Sequence, residues 1–178
     1  MIRVFIDSSV LVAASGSKSG ASALVLGYSR SEQITGVVSP DVIREAQKNV
    51  IKKMGPEKAT RLDQYLRLAK LDLVPTPPQS EINKCKQIIV DKDASILGAC
   101  LASQANVLIT LDFKHMLKPK IAKFLKPTLV LTPHQLVLLI ENKVPISPEN
   151  FNLIVNRLRE LEDKEDVAEI QRMEKAKK

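Results

Sequence analysis

Short, unbroken runs of apolar and β-branched residues alternate along the chain with longer stretches of helical period. Strands of that kind need cover on both faces, which a parallel sheet wrapped by crossover helices supplies. The strand candidates are 2–6, 35–39, 71–74, 106–111 and 128–131. Helical patterns fill 20–31, 40–53, 57–69, 80–90, 94–103 and 133–142. Ser39-Pro40 and Thr132-Pro133 each set a capping hydroxyl before a proline at the first helical position. Ser8-Ser9-Val10 reads as a turn. The expected fold class is α/β: a three-layer α/β/α domain over residues 1–143 with a central parallel sheet. Residues 144–178 are expected to add a Pro-rich linker and a charged C-terminal helix. On that helical extension Phe151, Ile154, Val155, Leu158 and Leu161 keep helical spacing. The stripe suits docking on the body or on a second copy.

The 178 residues suffice for one core without a disulfide framework. Cys85 and Cys100 match no zinc or redox spacing and read as core residues in a reducing cytoplasm. No run of about 18 apolar residues predicts a membrane span. Asp7 comes too early for a signal peptide, so a cytoplasmic location is expected. Aromatics are 3% of the chain and Trp is absent, which excludes a recognition surface built on stacked aromatics. Net charge is +7; residues 146–178 carry −1, leaving a basic body that suits a polyanion such as nucleic acid. Asp7-Ser8-Ser9 stands where a dinucleotide binder has its glycines, and no phosphate loop occurs. Ser9 also stands where a haloacid-dehalogenase-type phosphotransferase needs a second Asp.

The acids are placed unevenly. Asp7 follows the first strand, Asp112 follows the strand of 106–111, Asp93 opens a helix, and Glu45 lies one turn into the helix opened by Ser39-Pro40. Ligands of open α/β sheets bind beyond the carboxyl ends of the strands, where these four acids can converge. Each has a plain alternative: an N-cap for Asp93, a turn cap for Asp7, a turn start for Asp112, an exposed helix position for Glu45. Gathered together, they repel unless protonated or bound to a cation, and Mg2+ prefers such oxygens.

The segments Val4-Phe5-Ile6-Asp7-Ser8-Ser9-Val10-Leu11-Val12, Ser39-Pro40-Asp41-Val42-Ile43-Arg44-Glu45, Asp93-Ala94-Ser95-Ile96-Leu97-Gly98-Ala99-Cys100 and Val107-Leu108-Ile109-Thr110-Leu111-Asp112-Phe113 occur in an order and spacing that resemble PIN-domain nucleases. That family includes the VapC-like toxic ribonucleases of toxin–antitoxin pairs. The resemblance covers about residues 1–140. It implies a PIN-like fold and Mg2+- or Mn2+-dependent cleavage of single-stranded RNA. The implied catalytic and metal-binding residues are Asp7, Glu45, Asp93 and Asp112, supported by the hydroxyls of Ser9 and Thr110. Arg44, Lys92 and Lys114 flank the acids as candidates for substrate phosphates. Asp91 is a possible fifth acid that reads better as a loop residue. His115 and His134 read as surface or capping residues rather than general bases. Leu111 departs from the family, which often has Arg or another polar residue there. The resemblance further implies an antitoxin partner and a homodimer. The competing reading is a catalytically silent PIN-like module for RNA binding or assembly.

Overall fold

The computed structural model describes residues 1–176. Five strands form one all-parallel sheet: β1 (Arg3–Ile6), β2 (Thr35–Val38), β3 (Asp72–Leu73), β4 (Val107–Ile109) and β5 (Leu129–Leu131), in the order β3-β2-β1-β4-β5. Val4, Phe5 and Ile6 are fully buried, as are Val107, Leu108 and Ile109. Successive strand residues point to opposite faces, so both faces of the sheet centre are covered. The expected α/β class and central parallel sheet are observed.

The helices among the described residues are α1 (Ser8–Gly16), α2 (Ala21–Arg30), α3 (Pro40–Met54), α4 (Pro56–Leu68), α5 (Gln79–Lys86), α6 (Asp91–Ala102), α7 (Pro119–Leu125), α8 (Pro133–Glu141) and α9 (Phe151–Ala176), with a 3-10 turn at Pro148–Asn150. None is long and apolar enough to cross a membrane. Ser39 caps α3 through Val42 N–H. Thr132 and Gln135 form a capping box on α8. These starts match the sequence signals.

Three readings are corrected. Ser8-Ser9-Val10 is the first turn of α1, which the sequence hides because Val10 to Ala14 is apolar without a helical stripe. The pattern of 80–90 ends at Lys86, where Cys85 O accepts from both Ile88 and Ile89 N–H and closes a turn. Helix α6 then starts at Asp91 with extended Val90 at its N-cap, so Asp93 is its third residue and not its cap. Helix α7 carries no strong sequence signal; Ile121 and Leu125 hold it to the core.

Strand β1 lies between β2 and β4, so the chain's strand order reverses at the β1–β4 pair, registered Val4–Val107 to Ile6–Ile109. A crevice opens beyond the carboxyl ends at such a reversal. Asp7 and Asp112 follow the two strands that border it. On α9, Ile154, Leu158 and Leu161 are buried, and the helix packs against α8 of the same chain. The apolar stripe is therefore covered intramolecularly.

Candidate active site

Asp7 occupies the N-cap position of α1, but its side chain makes no capping hydrogen bond to the helix backbone. Oδ2 accepts from Ser9 Oγ at 2.5 Å and from Thr110 Oγ1 at 2.7 Å. Those hydroxyls accept in turn from the backbone N–H of Leu111, at 2.9 Å, and of Asp112, at 3.0 Å. Two hydroxyls thus tie the Asp7 carboxylate to the loop that carries Asp112. Glu45, on the second turn of α3, is half-buried, and its Oε2 accepts from Ser8 Oγ at 2.8 Å.

Asp93 is 4% exposed. Lys92 Nζ lies 3.5 Å from its Oδ1. Its Oδ2 is buried and has no hydrogen-bond partner. His115 Nδ1 stands 3.5 Å from that oxygen, yet the ring bonds Asp112 Oδ2 at 3.0 Å instead. The other Asp112 oxygen accepts from Lys114 and His115 N–H, each at 2.9 Å.

All four acids line one open cleft of about 240 Å³, with Ser8, Ser9 and Lys92. Burial raises the Glu45 pKa; the Ser8 hydrogen bond opposes this, and the charges of Asp7 and Asp93 add to it. Burial likewise raises Asp93, against the pull of Lys92 and with the push of Asp112. Burial pushes Asp112 up too, but the His115 N–H, the His115 ring and the Lys114 N–H outweigh it and hold Asp112 below the usual range.

A divalent cation fits this donor set. Four carboxylates around one cleft, one with an orphaned buried oxygen, are costly without positive charge between them. Asp93, Asp112 and His115 offer ligand atoms within 4.8 Å of one another.

Other expected residues fall outside the cleft. Arg44 pairs with Asp41 on the exposed side of α3, since one residue along a helix turns a side chain by about 100°. Lys114 contributes its backbone N–H to Asp112, while its side chain is exposed. Asp91 is exposed and pairs with Lys86. His134 is exposed and pairs with Glu165 on α9. His115 departs from its expected surface role: its ring is mostly buried against Asp112.

The sequence reading missed Ser8, Asn49, Lys53 and Met116 among the cleft residues. Glu45, Asn49 and Lys53 repeat every four positions on α3, so their shared face was legible. His115 stands three residues from Asp112, a spacing that also signals contact.

Fold and site together define an α/β/α protein with an acidic cleft at the carboxyl edge of its sheet, where the strand order reverses. The family model of the PIN domain matches residues 3–114, more than half of the chain and a span that includes all four acids. The chain belongs to the PIN domain family. Among solved structures, VapBC2 from Rickettsia felis, bound to a DNA fragment from their promoter, is 19% identical with a TM-score of 0.54, covering 73% of this chain and 97% of that one. PAE2754 from Pyrobaculum aerophilum is 17% identical with a TM-score of 0.52, covering 79% of this chain and 90% of that one. At such identities the likeness bears on the fold alone. No curated protein matches the sequence significantly.

Proposed function

We propose that the protein is a metal-dependent endoribonuclease that hydrolyses phosphodiester bonds of single-stranded RNA. The observation that carries this reading is the buried, unpartnered Oδ2 of Asp93, set among Asp7, Glu45 and Asp112 in one cleft. Membership of the PIN family supports a hydrolytic nuclease. Asp7, Glu45, Asp93 and Asp112 would hold Mg2+ or Mn2+. When bound, such an ion lowers the pKa of water and neutralises phosphate charge.

The chain's own groups supply the rest. Ser9 and Thr110 fix the Asp7 carboxylate, and Ser8 holds Glu45 facing it. Glu45, with its raised pKa, is suited to orient a water and take its proton. Lys92 and Lys53 place positive charge at the cleft for the scissile phosphate. We further propose that the protein is the toxin of a toxin–antitoxin pair and acts as a homodimer. The VapBC2 fold neighbour supports the first point.

Labelled single-stranded RNA incubated with Mg2+, with Mn2+ and with EDTA tests the reaction, beside an Asp7→Asn variant prepared identically. Cleavage that needs the ion and is lost in the variant is expected. Equal cleavage by both proteins would mark a contaminant. Metal binding without cleavage by either would favour the silent RNA-binding module.

A further inference from the structure

We propose that His115 is a nitrogen ligand to the divalent cation of this cleft, completing a set with Asp93 and Asp112. The proposal rests on the metal-dependent reading above. His115 Nδ1 is 3.0 Å from Asp112 Oδ2 and 3.5 Å from Asp93 Oδ2. Adjacent ligands of an octahedral ion with bonds of about 2.1 Å lie about 3.0 Å apart. The His115 nitrogen therefore stands near neighbour distance from both oxygens, and ligand atoms of all three residues lie within 4.8 Å of one another.

A second observation points to the same spot. Asp93 Oδ2 is buried without a hydrogen bond, on a side chain only 6% exposed, and it faces this nitrogen. Asp112 also holds the His115 backbone N–H, so the ring is fixed from its own main chain. Without an ion, a proton on Nδ1 satisfies Asp112. With an ion, the Nδ1 lone pair becomes the donor and the neutral ring carries its proton on Nε2.

The consequence is a mixed nitrogen and oxygen site. Imidazole is a softer donor than carboxylate and favours first-row transition ions over Mg2+. The cleft is therefore expected to prefer Mn2+ to Mg2+, and the preference belongs to His115.

The test uses the full, tag-free chain with Mn2+ alone and Mg2+ alone. Pulsed EPR of the Mn2+-loaded protein reads nitrogen bound to the ion, and needs no variant to be informative. A nitrogen coupling is expected in the wild type, absent in His115→Gln and retained in His134→Gln. The sequence has no other histidine. In His115→Gln, Mn2+ binding is expected to weaken about tenfold and Mg2+ binding by less than about threefold. Mn2+ bound without nitrogen coupling overturns the proposal, and so does equal weakening of both ions, which would make His115 only a positioning residue for Asp112. If RNA is still cleaved in that case, the nuclease reading stands while this one falls. Absence of any Mn2+ binding overturns both.

Discussion

Asp93 and Glu45 are where the acidic cleft costs the fold most. Both are pushed toward the protonated form by burial and by neighbouring charge. Asp93→Asn removes a charge that no hydrogen bond satisfies at Oδ2. The ion-free variant is expected to melt a few degrees higher than the wild type, since about 1 kcal/mol moves the midpoint of a chain this size by about 2–4 °C. A thermal shift by Mn2+ is expected for the wild type and is expected to be lost in the same variant. Thermal melts with Mn2+ and with EDTA check both outcomes. The pH dependence follows from the same raised values. An acid whose pKa rises on folding stabilises the fold below its unfolded value, and that stability is lost as pH rises through the folded value. Ion-free protein is therefore expected to recover stability as pH falls through these raised values toward the ordinary carboxylate range near about 4, and Glu45→Gln to recover less. The Mg2+-induced shift runs the other way and is expected to shrink over that interval. Asp112 has the opposite sign: its stability disappears only as pH falls through its lowered value.

Individual elements aim the site. The N-terminal turn of α1 presents Ser8 and Ser9 to Glu45 and Asp7, so the first two helical residues act as ties between chain segments. Helix α3 is started by Ser39 and Pro40, which places Glu45, Asn49 and Lys53 along the cleft. Strand β2 sets the distance between β1 and β3 and depends on Gly36. A Cβ there would lie 2.5 Å from Ser29 Oγ and 2.7 Å from Leu71 Cδ2. Ser29 Oγ also receives the Gly36 N–H and donates to Ala69 O, so it has little room to yield. Gly36→Ala is expected to destabilise by about 1–3 kcal/mol in denaturant titration. Thr132→Ala, which removes a capping box none of whose residues lines the acidic cleft, is expected to cost about 0.5–2 kcal/mol and to leave metal binding unchanged.

Across the molecule, positive charge continues beyond the cleft. Residues 113–140 contain five lysines and no acid, and Lys114, Lys118, Lys120, Lys123 and Lys126 are all exposed. Lys120 and Lys86 line a shallow depression that also includes Asp91, while Lys92 and Asp93, the next two residues, line the cleft. The first turn of α6 is thus a wall shared by both hollows. If single-stranded RNA runs over this wall, Lys120→Ala and Lys123→Ala each reduce the slope of log affinity against log salt by about 0.7. Affinity measured across a salt series checks this; an unchanged slope would place the strand elsewhere. At the far side, α9 closes over α8 through Ile154, which is fully buried. Ile154→Ala is expected to cost about 2–5 kcal/mol without altering Mn2+ affinity.

Much of this was legible in the residue order. Strands such as Val107–Ile109 announce themselves because burial on both faces demands an unbroken apolar run. The starts of α3 and α8 are visible because capping chemistry is local. The four acids stand out only jointly: each alone has an ordinary capping or turn use, but gathered beyond the strand ends they repel one another without a cation. What stayed hidden depends on partners far away in the chain. Helix α1 looks featureless because it is surrounded by core, and α7 is short and held by packing. Arg44 and Lys114 sit next to the acids in sequence, yet Arg44 pairs with Asp41, Lys114 meets Asp112 through its backbone N–H, and neither lines the cleft. Ser9 meets Asp112 through Asp7 and Thr110 only because β1 and β4 pair in parallel. The orphaned oxygen of Asp93 and its approach to His115 are products of packing α6 against that loop, a long-range geometry that no local spacing encodes.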